Sequence, residues 1–410
     1  MLNSKEIEFI QNNQDKETSS LLLHAQKLND INLPLCVKCI EARRKIKYKS
    51  NVWYKNLSLV YPLSVSIEQG SSETTALFKQ MVIKDLLKDS SIITADLTGG
   101  MGIDSYFIAQ IANKHFYFEQ NKELFNATNY NFKQLQVNNI ISNNVDITEN
   151  DNKALKQLKK ENISLIYIDP ARRDKTNSKT ILLQDYQPNV INLLNDIFSI
   201  CNYLLIKVSP MADISLNLKL LPQTQQVYVV AVNNECRELL FLLDKNFTLG
   251  EPKINCVNIK SSLNNSFIGY DCFKFTQYDE QTAKVCFANE IENYLYDPNK
   301  AILKGGAYKL IAQKYGIKKL AVSTHIYTSN SLIENFKGKI FNVKEVVQFN
   351  KRNLKDVAKM YEYANIVARN FPLDTNGLKK LSGIKDGGEI YIFAVTLNNK
   401  NKVLIICEQR

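Results

Sequence analysis

Histidine is nearly missing from this chain. His24, His115 and His325 are the three that serve 410 residues, too few for a histidine-built metal site. The eight cysteines are too sparse for a disulfide framework in a chain of this length. Cys36 and Cys39 form a CxxC, but no second CxxC or nearby histidine completes a zinc set, so reduced thiols and no metal are expected. With 14 glycines and 9 prolines, collagen-like and mucin-like chains are excluded. No apolar run reaches the ~18 residues of a membrane span. The longest, such as Tyr203–Val208 and Val227–Val232, are strand-sized. The opening MLNSKEIEFIQNNQDKE has no basic segment followed by an apolar one. No secretion signal is read there, and a cytoplasmic protein with no membrane partner is expected.

What is present is an ordinary globular composition, 45% hydrophobic and 23% charged. At ~100–200 residues per domain it suggests two to four domains, with apolar residues enough for large cores. The charge is segregated. Residues 301–410 hold 19 Lys and Arg against 8 Asp and Glu, which is the whole +11 surplus, while the first 300 residues balance 33 against 33. The surplus gathers in KYGIKK (314–319), FKGKIFNVK (336–344) and NKRNLK (350–355), and a local run, ARRKIKYK, occupies 42–49. Segregated positive charge points to a module that grips a polyanion, of which nucleic acid is the commonest large one in a cytosol.

Along the chain, residues 1–50 space their apolar residues at three and four and read as helical, whereas 52–68 read as extended. A helix fits 71–89, capped by Ser71 or Ser72, with Glu73 in its first turn. From 92 to 243 short apolar runs alternate with amphipathic stretches: strand IITADL, helix 103–113, strand HFYFE, helix 121–136, strand IISNNVDI, helix 151–161, strand SLIYIDP, helix 187–199, strand YLLIKVSP and helix 211–220. VYVVAV and ELLFLLD follow with no helix between them. This alternation predicts a parallel sheet covered on both faces, with the last two runs as an antiparallel pair at one edge. Residues 251–335 mix strands with a helix at 299–314 and a strand LAVST at 320–324. The final section reads strand, helix, strand, helix and a hairpin across NNKN, a small α+β unit with its helices on one face.

The sharpest local signal is Asp96-Leu97-Thr98-Gly99-Gly100-Met101-Gly102-Ile103-Asp104, between an apolar strand and a helix. Glycines at such a turn let a ligand approach the backbone, and the helix start offers free N–H donors. Glu119 ends the next strand, at the usual place for an acid that grips ribose hydroxyls. A loop flanked by Asp96 and Asp104 would repel a pyrophosphate and suits a ligand with a positive centre. S-adenosylmethionine carries a sulfonium and an ammonium group. Asp146 then falls where an acid accepts from an adenine amino group, and Asp169-Pro170 falls beside the methyl donor.

This pattern resembles the class I S-adenosylmethionine-dependent methyltransferases over about residues 60–245. EQGSSETTALFK (68–79), DPARRD (169–174), KGGAYKL…STHIYTS (304–329) and ARNFPL…IKDGGEIYIFAVTL (368–397) resemble, more narrowly, a bacterial group of them. That group carries a ferredoxin-like segment and a THUMP-like domain at its C-terminus. The resemblance implies an α/β fold with a Rossmann-like seven-stranded core and S-adenosyl-L-methionine as cofactor. It places cofactor contacts at Asp96, Thr98, Gly99, Gly100, Gly102, Asp104, Glu119, Asp146, Asp169 and Pro170. It also implies RNA (tRNA or rRNA) as partner. The expected division is an N-terminal helical region 1–60, a methyltransferase core 61–248, a ferredoxin-like segment 249–335 and a THUMP-like RNA-binding domain 336–410.

Methyl transfer from a sulfonium requires alignment of nucleophile, methyl and sulfur, and a place for the acceptor's proton. Asp169 is the first candidate to orient and accept that proton. Exocyclic-amine methyltransferases usually follow this acid with Pro-Pro and an aromatic; here Ala171 and Arg172 replace the second proline and the ring. Arg172 could stack on a base or pair with a phosphate. A base-directed reaction is the leading expectation. Ribose 2′-O-methyltransferases offer the alternative: they share a Lys–Asp–Lys–Glu set in which a lysine of lowered pKa removes the hydroxyl proton, matched here by Lys79, Asp169, Lys207 and Glu235 or Glu238. A DNA methyltransferase and a non-catalytic RNA-binding protein are the other classes. His325 ends an apolar run and has no partner acid nearby in sequence.

Overall fold

A computed structural model describes residues 2–23, 30–61, 70–88, 91–148, 153–171, 182–262 and 266–410. It divides the chain into two compact units, Met1–Pro252 with Ile259–Tyr270, and Lys253–Asn258 with Asp271–Arg410.

The first unit opens with helices Ser4–Asn13, Thr18–Leu23 and Leu33–Ile46. Their apolar faces (Ile10, Cys36, Cys39, Ile40, Ile46) share one cluster with Trp53, Ala76 and Phe107. The expected extended stretch at 52–68 begins instead as a helix, Asn51–Lys55; residues 62–68 lie outside the described residues. Side-chain hydrogen bonds override β propensity there. Ser50 accepts from Trp53 N, and the Glu73 carboxylate accepts from the Ser50 hydroxyl and Val52 N at 2.9 and 3.0 Å. Glu73 itself opens the helix Glu73–Leu86, capped by Ser72. Of the basic run 42–49, Arg43 and Arg44 are occupied by carbonyls, the first by Asn56 and Tyr54, the second by Gln14 and Lys16.

The alternation produces strands β1 (Ile93–Asp96), β2 (Lys114–Phe118), β3 (Ile140–Asn143), β4 (Leu165–Ile168), β5 (Tyr203–Val208), β6 (Thr224–Val232) and β7 (Glu235–Asp244). Their order is β3-β2-β1-β4-β5-β7-β6, parallel from β3 to β5, with β7 antiparallel to β5 and to β6. This is the Rossmann-like methyltransferase order. The β6–β7 pair forms as expected but is not an edge, because the first unit's parts of β8 (Lys253–Ser261) and β9 (Phe267–Phe275), residues 259–261 and 267–270, extend the sheet beyond β6. The strand order reverses between β1 and β4, so the turns that follow these two strands flank one crevice.

In the second unit β10 (Tyr294–Pro298), β11 (Lys318–Lys319), β12 (Tyr327–Ser329), β13 (Gly338–Gln348), β14 (Asn365–Arg369), β15 (Ile390–Thr396) and β16 (Lys402–Gln409) form one sheet. Its order is β11-β12-β10-β13-β16-β15-β14, with β14 and β15 as a parallel pair. Helices Lys351–Met360 and Thr375–Ser382 lay Leu354, Val357 and Leu378 on one face, against Ile366, Ile392 and Leu404. The single helix expected at 299–314 is two, Lys300–Gly305 and Leu310–Tyr315, because Gly306 caps the first in the left-handed region (φ 89°). LAVST is loop rather than strand, and His325 lies in that loop between β11 and β12.

Candidate active site

Asp96 closes β1 and is 1% exposed. Its Oδ1 accepts from Thr98 N (3.0 Å) and its Oδ2 from the Ser105 hydroxyl (2.7 Å), so both oxygens are used inside the turn they shape. Burial raises its pKa to about 7. Because the carboxyl of an unfolded chain titrates near 3.8, this group's contribution to stability is fully present below that pH and is lost as the pH rises toward about 7. Asp96→Asn should therefore gain stability on the wild type between pH 4 and pH 7, measured by urea unfolding across that range.

Asp104 is also buried. Its Oδ2 accepts from the Ser71 hydroxyl (2.7 Å) and from the Tyr167 hydroxyl (2.8 Å), and its Oδ1 lies 3.2 Å from Lys79 Nζ. The two acids that flank the glycine loop, expected to face a cationic ligand, are thus set into the protein, one building the turn and the other neutralising a lysine. The acids left partly exposed are Glu119, Asp146 and Asp169. Glu119 follows β2, and its carboxylate accepts from Gly100 N (2.9 Å) and Asn121 N (2.7 Å). Burial raises its pKa. Asp146 accepts from the amide and hydroxyl of Thr148.

The Gly100 carbonyl is held by the hydroxyls of Tyr117 (2.6 Å) and Thr128 (3.1 Å). Gly100 itself has φ 54°, and a Cβ placed on it would meet nothing closer than Thr98 O at 3.8 Å. The turn is thus rigidly held yet open over one glycine. Thr98 Oγ1 accepts from Asp169 N at 2.6 Å, which ties the turn after β1 to the end of β4. Pro170 is buried, and Ala171 exchanges backbone hydrogen bonds with Gln187. Arg172 lies outside the described residues.

Lys79, from the helix Glu73–Leu86, is fully buried and donates to both Glu238 oxygens (2.7 and 2.9 Å) and to Ser71 Oγ (3.1 Å). Lys207, on β5, pairs with Asp169; their side chains are 13% and 31% exposed. Burial alone would lower the Lys207 pKa, but Asp169, Glu238 and Asp104 together raise it above its ordinary value, the opposite of the lowered pKa expected of a lysine base. Burial and Asp104 raise Glu238, against the pull of Lys79 and Lys207. All four positions of the Lys–Asp–Lys–Glu pattern therefore meet in one electrostatic network, with Glu238 rather than Glu235 as the acid; Glu235 pairs with Arg237. Two lysines face three carboxylates, leaving the network one negative charge in excess when all are ionised. A ligand with a positive centre fits that excess, and a nucleoside's hydroxyls fit the partly exposed Glu119.

Sequence reasoning gave Ser71 only a capping role and passed over Tyr167. Their signal was weak: a second serine before a cap, and a hydroxyl-bearing residue in an apolar strand. Lys79→Met would leave Glu238 and Asp104 buried without their cation, and should cost ~3–5 kcal/mol of stability in urea unfolding.

Comparisons with known proteins bear on the fold and on the C-terminal domains. A model of a ferredoxin-like domain matches residues 294–336, and one of a THUMP-like domain matches residues 338–409. No curated protein matches the chain in sequence. A solved structure titled "putative methyltransferase" from Porphyromonas gingivalis W83 is similar over 100% of this chain and 99% of that one, at 28% identity and a TM-score of 0.86. An rRNA methylase from Streptococcus thermophilus (15% identity, 41% of this chain and 94% of that one) and a Streptococcus mutans protein solved with SAH (18%, 41% and 95%) have TM-scores of 0.30 and 0.31. The class is thus an α/β protein with the Rossmann-like methyltransferase fold. More particularly, the chain shares over its whole length the fold of that Porphyromonas gingivalis protein, and it carries ferredoxin-like and THUMP-like domains at its C-terminus.

Proposed function

We propose that this chain is an S-adenosylmethionine-dependent methyltransferase acting on RNA, and that its acceptor is a ribose 2′-hydroxyl. The observation that carries the reading is the gathering of Lys79, Asp169, Lys207 and Glu238 beside the open glycine turn. Bound there, the cofactor would supply a methyl group on a positively charged sulfur. Glu119 and Asp146 are the acids placed for its sugar and base, and the chain at Gly100 is open for its approach. Lys79 is buried and engaged on several sides, so it positions Glu238 and Asp104. Lys207 and Asp169 are the pair that can meet an acceptor. In the resting state the three carboxylates keep the proton on Lys207 Nζ. When those carboxylates also face the cofactor's positive charge, beyond that of Lys79, their hold on Lys207 weakens and its pKa falls; Nζ would then release its proton to water and, once neutral, could accept the hydroxyl proton.

RNA as the partner is supported by the THUMP-like domain and the charge surplus. On the helix Lys351–Met360, Lys351, Arg352 and Lys355 are exposed on the side opposite Leu354 and Val357. Deleting 335–410 is a poor test, since it strips β10 of its partner β13. Replacing those three cations by glutamine should instead weaken RNA binding and flatten its dependence on salt by up to about three in slope, with cofactor affinity preserved. Titrations at several salt concentrations measure this.

The reaction is tested by incubating the protein with methyl-labelled cofactor and RNA from cells lacking the gene, then digesting to nucleosides. Label in 2′-O-methylnucleosides, recovered as alkali-resistant dinucleotides, is the expected result. Label in a methylated base would restore the base-directed reading and overturn the ribose assignment. Label in DNA alone, or cofactor binding with no RNA methylation, would overturn RNA as substrate.

A further inference from the structure

The second unit contains a buried lysine that, among the described residues, forms no ion pair with a carboxylate. Lys319, on β11, is 3% exposed, and its Nζ donates to the Val322 carbonyl at 2.6 Å. Among the described residues no acid lies within ion-pair distance of it. Glu280, the carboxylate that bears on it from further away, is engaged in accepting from the amides of Lys309 and Leu310. Taking an ammonium group out of water without a counter-charge is costly, and such groups are ordinarily paired. Lys319 lies 5.8 Å from the ring centre of Tyr308, and that ring stacks on His325 at 3.7 Å and 14°. The Nδ1 of His325 is buried and has no hydrogen-bond partner among the described residues. From β14, Arg369 brings a third group: its side chain is 30% exposed and is only loosely paired with Asp297, at 3.7 Å. Next to it Asn370 (φ 49°) donates to Thr324 Oγ1 at 3.1 Å, fixing the loop that carries His325.

We propose that Lys319, His325 and Arg369 form a binding site for a nucleotide phosphate, with the Tyr308–His325 ring pair beside it for a base, and that this site anchors the RNA strand. The proposal rests on the reading of the chain as an RNA methyltransferase for its ligand's source. Its chemistry is a point charge, an imidazole nitrogen and a guanidinium fork around a cluster with one loosely held carboxylate. The stacked rings suit a base, as in other single-strand sites. Lys319 and Arg369 also depress His325, whose pKa burial and these two cations lower to about 4. Positive potential thus converges on a ring that is neutral at pH 7, and a phosphate oxygen would be its counterpart.

The test is calorimetry on the full chain with inorganic phosphate, a nucleoside 5′-monophosphate and a dinucleoside monophosphate, the last two separating terminal from backbone phosphate. Wild type should bind at least one nucleotide, and Lys319→Met and Arg369→Gln should each weaken it about tenfold or more. Lys319→Met should also melt at the same temperature as wild type or higher, since it removes an uncompensated buried charge; a lysine needed only for packing would instead lower the melting temperature. In NMR spectra, the His325 resonance should titrate at higher pH with phosphate present. Absence of phosphate binding by wild type, equal binding by Lys319→Met, or unchanged RNA affinity in Lys319→Met would each overturn the proposal. Cofactor binding, measured on the same samples, reports separately on the methyltransferase reading.

Discussion

Asp169→Ala should slow methyl transfer by ~10² or more while weakening cofactor binding far less, read by single-turnover transfer and by calorimetry. The asymmetry follows from what Asp169 touches. Its backbone N–H, which donates to Thr98 Oγ1, survives the substitution, so the glycine turn keeps its tie to β4. Its carboxylate, which pairs with Lys207, is lost. Lys207 then retains only Glu238 and Asp104 as carboxylates, and nothing orients its Nζ toward an acceptor. A second variant, Asp169→Asn, separates a chemical role from a structural one. Asp169 is among the carboxylates that raise the Lys207 pKa, so removing its charge lowers that pKa. The ascending limb of the rate profile, where Lys207 loses its proton and becomes a base, should therefore move to lower pH in Asp169→Asn. A merely structural aspartate would leave that limb in place, and unchanged turnover in Asp169→Ala would remove the residue from the mechanism.

Much of this site was legible in the sequence because it is carried by order along the chain. Strand–helix alternation fixes which turns flank the crevice, and so Asp96, Glu119, Asp146 and Asp169 follow their strands as spacing alone requires. What spacing does not reveal is which way a carboxylate turns. Asp96 and Asp104 look alike as acids bracketing three glycines, yet each meets a hydroxyl supplied from elsewhere: Ser105 one helical turn in, and Tyr167 from β4. The pairing of Lys79 with Glu238 spans 159 residues, and lysines are so common in this chain that its composition hides the one that matters. The extended expectation at 52–55 failed for the same reason in miniature. Val52, Trp53 and Tyr54 favour strands, but Glu73, 21 residues after Val52, accepts from Val52 N and makes a helix turn the better-satisfied state.

Gly100→Arg should abolish cofactor binding without unfolding the protein, and the three glycines of the turn differ in a way that makes this decisive. At Gly99 a Cβ would lie 2.1 Å from the Tyr117 ring, so even alanine there displaces a buried side chain. At Gly102 it would lie 2.5 Å from Phe132, with φ at 76°, so alanine there is both crowded and strained. Both substitutions should lower the melting temperature. At Gly100 the space is open, and alanine costs only the left-handed backbone penalty of about 1 kcal/mol. Gly100→Ala should therefore bind cofactor within several-fold of wild type, whereas arginine fills the open face with a long cation that repels a sulfonium. Calorimetry on the pair, with melting curves as the control for folding, separates occlusion from collapse. If arginine at 100 left binding intact, the open face over this turn would not be where the methyl donor sits, and the role given to Asp169 and Lys207 would fall with it.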